Sequence, residues 1–323
     1  EAMKIINASV HGNPPAPECI ALVTGTHGVL WGIVTDGDIR RFLIAGGDLS
    51  APVADAMNKT PFVVSSSLSA EDILGELLKE TKRRALRSTA FNKIVVVAED
   101  GSAHDVVTFF ELWRRTDVST RTVAIVGLGY VGLTLALTFA EMGISVIGVD
   151  IDERVVSELQ NGRAHFHEHG LPEMLLKHLN KNFIVRNTFH GSESDVYVVC
   201  VGTPVVGEAL VAGPLQSSLA TVARVLKQHD LVVLRSTGPA GTTREIAIPT
   251  LEQGSGLAAG RDFFIAFAPE RTVEGRAMEE LRTLPQVVGG YDTASRDLAA
   301  KLFRQIAPTI VPVASLEAAE MVK

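Results

Sequence analysis

Residues 123–126 form an apolar, largely β-branched run that leads directly into Gly127-Leu128-Gly129-Tyr130-Val131-Gly132. This order predicts a strand, a glycine turn and a helix over 131–142, then a second strand over 145–149. That strand ends in Asp150, 18 residues after Gly132. Each part has a physical task. Gly127 permits the tight turn, Gly129 lets a pyrophosphate approach the backbone, and Gly132 lets helix and strand pack closely. The helix N-terminus, at Tyr130 and Val131, offers free N–H groups and a favourable dipole to an anion. Asp150 can accept hydrogen bonds from both ribose hydroxyls and would repel a 2′-phosphate, which favours NAD over NADP. Arg154 is the one nearby charge that opposes this preference.

Residues 122–140 are 19 residues without a charge, close to the length that spans a bilayer. The early glycines, the β-branched start and Glu141 at the end fit strand–turn–helix better, so no membrane span is expected. The length of 323 residues suggests two domains. The net charge is −7, with −3 before and −4 after residue 120. Neither half therefore offers the positive face that nucleic acid requires. A hydrophobic content of 46% against 21% charged residues excludes a disordered chain. Cys19 and Cys200 are too few for a disulfide framework, and residues 1–10 lack a signal-peptide core. Both observations point to the cytoplasm.

The first 117 residues contain an internal repeat. Gly28, Thr35, Asp38 and Arg41 recur as Gly101, Thr108, Glu111 and Arg114, each 73 positions later. The apolar runs 20–23 and 93–96 align at the same offset. Each copy reads as a strand, a glycine turn, a second strand ending in Thr, and a short helix. In the first copy the second strand is 31–35 and the helix 38–45, stopped by Gly46-Gly47. Further helices are expected over 2–9 and 70–80, the latter capped by Ser69. The run Gly32-Ile33-Val34-Thr35-Asp36-Gly37-Asp38-Ile39-Arg40-Arg41, with Met57-Asn58 after it, resembles a CBS-domain pair, a Bateman module, over residues 1–117. The resemblance implies adenine-nucleotide binding by a Thr at a strand end and an Asp three residues later. Thr35 and Asp38 fit that pattern; in the second copy Thr108 keeps the Thr, but Glu111 replaces the Asp. The first copy also lacks its opening strand. Packing or dimerisation without a ligand is the plainer alternative, and Lys82, Arg83, Arg84 and Arg87 read as a solvated loop.

After Asp150 the chain alternates as a doubly wound α/β fold does. Helices are expected over 153–160 and 215–227, and strands over 183–186, 195–201, 231–235 and 263–268. Four further segments make the reading specific. They are Val201-Gly202-Thr203-Pro204, Ser236-Thr237-Gly238-Pro239-Ala240-Gly241-Thr242-Thr243, Ala268-Pro269-Glu270-Arg271 with Glu274-Gly275-Arg276-Ala277, and residues 317–323. With the glycine fingerprint they resemble the NAD-binding N-terminal domain of the UDP-glucose/GDP-mannose dehydrogenase family, in the expected order over about 120–323. Pro-Glu-Arg in place of Pro-Glu-Phe is more similar to members that oxidise UDP-N-acetylhexosamines. The expected fold class is α/β. An α+β CBS pair at 1–117 precedes a Rossmann doubly wound parallel sheet at 118–323.

The resemblance implies four-electron oxidation of a nucleotide-sugar C6 alcohol to the uronic acid, with two NAD reduced. It implies a cysteine that traps the aldehyde as a thiohemiacetal, so that hydride loss leaves a thioester. Carried over by motif, Thr203 would sit beside the nicotinamide and orient water. Glu270 would be the acid/base carboxylate and Lys323 the lysine beside the reacting oxygen. Ser236 and Thr237 would line the cofactor cleft at a strand end. The family's cysteine motif lies further on than Lys323, in the sugar-binding domain. The chain is therefore expected to bind NAD without turning over a UDP-sugar. Cys200, within an apolar strand, reads as a buried structural thiol. His165, His167 and His169 alternate in a loop, where no metal is expected; Glu168-His169-Gly170-Leu171 fits the family's Glu-Pro-Gly-Leu with one change. Glu279, Glu280 and Arg282 read as a solvated helix face. A homodimer is expected, and modulation through the CBS pair would follow from adjacency. The alternatives are a non-enzymatic sensor of adenylate and NAD and, less consistent with the four segments, a 3-hydroxyacid dehydrogenase.

Overall fold

The computed structural model describes residues 2–3, 20–70, 72–73, 75–77, 80, 93–108, 112, 121–206 and 209–323. The helices expected over 2–9 and 70–80 fall partly outside these residues. Cys19, Glu111 and the basic residues at 82–87 fall wholly outside them. The chain divides into two compact units, Glu1–Thr116 and Asp117–Lys323.

In the first unit the 73-residue repeat is also a repeat of register. β1 (Ile20–Thr24) pairs antiparallel with β2 (Leu30–Thr35), placing Ile20 opposite Thr35. α1 (Asp36–Ile44), α2 (Val53–Ala56) and β3 (Val63–Ser65) follow. β4 (Lys93–Val97) then pairs antiparallel with β5 (Ala103–Thr108), placing Lys93 opposite Thr108. Both ladders shift at the equivalent point, between Val23 and Thr24 and between Val96 and Val97. The hairpins meet at an antiparallel bridge between Val29 and Ser102, which are each other's counterparts at the repeat offset. A residue facing its own counterpart is what a local two-fold axis produces. The copies differ at one edge: β3 runs parallel to β4, whereas β1 and β2 form a two-stranded sheet. α1 begins two residues before the expected start, because the Thr35 side chain caps it and Asp36 opens its first turn.

The second unit is built on an eight-stranded sheet. Its elements are β6 (Thr122–Val126), α3 (Tyr130–Glu141), β7 (Ser145–Val149), α4 (Glu153–Gln160), α5 (Leu171–His178), β8 (Phe183–Arg186) and β9 (Val196–Val199). A small hairpin, β10 (Val205–Val206) with β11 (Ala209–Leu210), precedes α6 (Gly213–Ala223) and β12 (Leu231–Leu234). A π-helical turn, Thr243–Ala247, runs into α7 (Ile248–Ser255). Then come β13 (Phe264–Phe267), α8 (Ala277–Glu280), β14 (Gln286–Gly290), α9 (Thr293–Phe303), β15 (Ile310–Pro312) and α10 (Leu316–Glu320). The strand order is β15-β14-β13-β12-β9-β6-β7-β8.

The sheet departs from the expected all-parallel form at one place, where β14 runs antiparallel to β13. Parallel neighbours need a crossover that returns the chain to the starting edge. The segment between β13 and β14 carries only the four-residue α8 and no crossover helix, and the chain re-enters at the strand end where β13 finishes. From β6 the chain winds outward through β7 and β8, then returns to β9 on the other side of β6. The reversal between β6 and β9 leaves a crevice at their C-terminal ends, where open α/β sheets bind ligands.

The uncharged run at 122–140 is divided between β6 and α3. Residues 132–140 of α3 are all buried, and α3 packs against β7 and α5. No helix among the described residues is long and apolar enough to cross a membrane. Glu141 ends α3 and binds α5 through Lys177 Nζ at 2.8 Å and His178 Nε2 at 2.6 Å. These partners pull its carboxyl down to about 2.

Gly132 sets how close the glycine turn lies to α3. A Cβ there would stand 1.8 Å from the Gly127 carbonyl oxygen. Gly132→Ala should therefore destabilise the second unit by about 1–3 kcal/mol, the range for overpacking a tight core. Urea denaturation followed by circular dichroism checks this. Gly129→Ala meets nothing within 4 Å and should leave the midpoint unchanged.

Candidate functional site

Two cavities lie side by side along the C-terminal ends of β6, β7, β9 and β12. The first, of about 690 Å³, is lined by Gly127, Gly129, Asp150, Ile151, His165 and Arg224 among others. The second, of about 520 Å³, is lined by Gly129, Tyr130, Val131, Thr203, Ser236, Thr237 and Lys323 among others. They share Gly129, Cys200, Val201 and Gly202, so together they form one cleft that passes the N-terminus of α3.

Residues present in this cleft fit a dinucleotide. Gly127 takes φ +90°, a left-handed conformation that favours glycine, and a Cβ there would press on the Cys200 carbonyl at 3.0 Å. A Cβ on Gly129 or Gly202 would meet nothing within 4 Å, so the backbone there faces open space. α3 has no side-chain cap, which leaves its first amides available to an anion. Asp150 accepts from the Leu128 amide at 2.6 Å and the Asp152 amide at 2.9 Å. A carboxylate has about four acceptor positions, so Asp150 keeps capacity for ribose hydroxyls. Arg154 does not join it: its side chain is 79% exposed and lies 3.9 Å from Asp152.

In the second cavity Thr203 and Thr237 come together, the Thr203 hydroxyl donating to the Thr237 carbonyl. Ser236 Oγ donates to the Val199 carbonyl at 3.4 Å. Cys200 does not sit inside a strand as expected. It follows β9 and lines both cavities, while burial pushes its thiol up to about 12 and keeps it protonated. Burial lowers the Lys323 ammonium from its ordinary value, against the pull of Glu270.

Glu270 lies behind this cavity, 4% exposed, and is bound to Arg235, which is 1% exposed. Arg235 Nε donates to Glu270 Oε2 at 3.0 Å, and Nη2 donates to the same oxygen. The Arg271 and Thr272 amides donate to Oε1 at 2.7 and 2.8 Å. Arg235 was not among the residues expected at the site. Its signal is a lone arginine closing the apolar strand 231–234, in front of Ser236-Thr237.

Two more carboxylates organise the walls. Glu320 is buried and accepts from the Gly241 amide at 2.6 Å, the Thr243 amide at 2.7 Å and the Thr243 hydroxyl at 2.5 Å. It thereby pins the 236–243 loop to the helix that leads to Lys323. Glu168 Oε2 accepts from the Tyr130 hydroxyl at 2.6 Å and the Gly275 amide at 2.9 Å. This links the glycine loop to the segment after Glu270, and burial together with Glu168 pushes the Tyr130 hydroxyl up to about 12. Glu280, expected on a solvated face, is largely covered and accepts from the Val273 amide at 2.8 Å. No group of three or more candidate metal ligands occurs among the described residues.

In the first unit Thr35 and Asp38 satisfy each other. The Thr35 hydroxyl and amide donate to Asp38 Oδ2 at 2.7 and 2.9 Å, and the Asp38 amide donates back to Thr35 Oγ1 at 3.3 Å. This is a capping box for α1, and Arg41 holds the other Asp38 oxygen. Thr108 ends β5 at the position equivalent to Thr35.

The second unit is similar to several known proteins. The UDP-N-acetyl-D-mannosamine dehydrogenase of Pyrococcus horikoshii is 36% identical over 203 residues, covering 62% of this chain and 48% of that protein. Protein CapL of Staphylococcus aureus is 34% identical over 208 residues, covering 63% and 47%. A crystal structure of NDP-N-acetyl-D-galactosaminuronic acid dehydrogenase from Methanosarcina mazei matches with TM-score 0.61 and 30% identity, covering 67% and 49%. The chain thus spans about half the length of the curated relatives it matches. Residues 121–307 match the NAD binding domain of the UDP-glucose/GDP-mannose dehydrogenase family, to which the chain belongs.

Proposed function

We propose that this chain serves the NAD-dependent oxidation of a nucleotide sugar, converting the C6 alcohol to the uronic acid, with a UDP-N-acetylhexosamine as substrate. The observation that carries the reading is the continuous cleft, with Asp150 at one end and Thr203, Thr237 and Lys323 at the other. Bound NAD supplies the hydride acceptor. Asp150 orients the adenosine ribose, and the bare amides at the start of α3 bind the pyrophosphate. Ser236 and Thr237 line the nicotinamide end, and Thr203 orients water there. Lys323 brings a cation to the reacting oxygen, and Glu270 a carboxylate behind it. The N-acetylhexosamine part rests on Pro269-Glu270-Arg271 and on the printed names of relatives that act on UDP-N-acetyl-D-mannosamine. The reaction is a cytoplasmic one, and the protein acts as a homodimer.

The first unit reads as a CBS pair, supported by the equal register and equal ladder shift of its two copies. Thr35, Asp38, Thr108 and Glu111 are its nucleotide-site residues, and an adenine nucleotide there adjusts the second unit. Asp38 already accepts from Thr35 and Arg41 and keeps about one acceptor position for a ribose hydroxyl.

Three measurements test these statements. Calorimetric titration should show NAD bound at least tenfold more tightly than NADP, with Asp150→Asn weakening NAD about tenfold and narrowing the difference. Deletion of the gene should deplete UDP-N-acetylhexosaminuronate in cell extracts, and a UDP-N-acetyl-D-mannosamine dehydrogenase supplied in trans should restore it. Unchanged nucleotide-sugar pools would overturn the reading. Titration with AMP, ADP and ATP should release heat that Asp38→Ala abolishes; no heat and no thermal shift would remove the nucleotide site.

A further inference from the structure

Residues 241–243 have the form of an anion cradle. Gly241 takes φ +96°, in the left-handed region, and Thr242 is right-handed helical at φ −52° and ψ −44°. Adjoining residues of opposite hand turn their amides into a concavity that favours an anion. Here the anion belongs to the chain itself. Glu320, 3% exposed, accepts the Gly241 amide on one oxygen and the Thr243 amide and hydroxyl on the other. A buried carboxylate is costly unless donors surround it, and these donors are peptide and hydroxyl groups. The nearby guanidinium of Arg244 is spent on Glu317 instead, at 2.6 Å.

Both sides of this contact continue into the second cavity. Ahead of the cradle, the Thr242 hydroxyl donates to the Pro239 carbonyl at 2.7 Å, and the Thr203 hydroxyl holds the Thr237 carbonyl. The path from Ser236 to the cradle is therefore short and fastened along its length. On the other side, α10 lies so close to β14 that a Cβ on Gly289 would stand 2.3 Å from the Ser315 carbonyl oxygen. That approach fixes the start of α10. Glu320 is its last residue, three positions before Lys323.

We infer that Glu320 is a positioning residue of the cleft. As the resident anion of the 241–243 cradle, it holds Ser236 and Thr237 on one segment and Lys323 on the other in the arrangement that receives the dinucleotide. This role rests on the dinucleotide reading proposed above. A glutamine has one acceptor oxygen and an NH₂ group in place of the carboxylate. Whichever way its amide turned, donor would face donor at the Gly241 or the Thr243 amide. Charge and two-sided acceptance are both needed, and only a carboxylate supplies them.

Glu320→Gly in the full chain tests this, because removing the side chain leaves room for a free carboxylate. Calorimetry should show NAD bound about tenfold more weakly, the effect of leaving buried amides unpaired. Sodium formate should restore most of that loss in a saturable way, whereas sodium chloride at equal ionic strength should not. Hydrogen exchange at the Gly241 and Thr243 amides should quicken in the variant and slow again with formate. Glu320→Gln should weaken NAD similarly without responding to formate, and it carries the comparison if Glu320→Gly does not fold. Glu317→Gln cuts the exposed tie between the same two segments and should change NAD affinity less than about twofold. Wild-type affinity in folded Glu320→Gln overturns the inference. So does a loss in folded Glu320→Gly that formate leaves untouched, or an equal loss in Glu317→Gln. A wild-type chain that bound no NAD would count against the dinucleotide reading. The exchange of the two amides, with and without formate, would still decide whether Glu320 is the resident anion.

Discussion

A helix can present its first amides to an anion only if no side chain fills the space in front of them. At the start of α3 that space is kept open on one side and closed on the other. Gly129 faces open cleft, whereas Gly132 lies so near the Gly127 carbonyl that a single added carbon would collide with it. The close approach fixes the turn between β6 and α3. The turn then sets where Leu128 meets Asp150, and Asp150 is how β7 takes part in the site. Cys200 and Gly202, at the end of β9, form the floor that both cavities share. The remainder of the cleft is arranged around this one contact.

The parts legible in the sequence are those governed by local rules. The glycine turn, α4 with its Asp152 cap, and the apolar strands followed from residue type and spacing. The antiparallel β14 did not, since strand direction depends on which edge the chain re-enters and α8 carries little periodicity. Side-chain partnerships over long separations were hidden for the same reason. Arg235 and Glu270 are 35 residues apart, and Glu320 reaches back 77 residues to Thr243. Motif matching had marked Glu270 without indicating its buried arginine partner. Arg154, close to Asp150 in sequence, instead stands exposed beside Asp152.

The first unit shows how much a repeat carries beyond composition. Matching residues at a fixed offset implied matching strands, and the ladders agree down to the position of the shift. What the offset could not convey is that Thr35 and Asp38 already bind each other. A threonine followed by an aspartate three residues later is a helix cap as well as a nucleotide motif, and only the hydrogen bonds distinguish a free pair from an engaged one.

The three bonds made by Glu320 have a mechanical meaning for the cleft. The 236–243 loop and the end of α10 come from distant parts of the chain, yet neither can shift alone without leaving buried donors unsatisfied. Gly241 and Thr243 are therefore coupled to α10 through one buried carboxylate. A shift of the 236–243 loop against α10 must break these three bonds together, so the two segments keep their spacing as one unit.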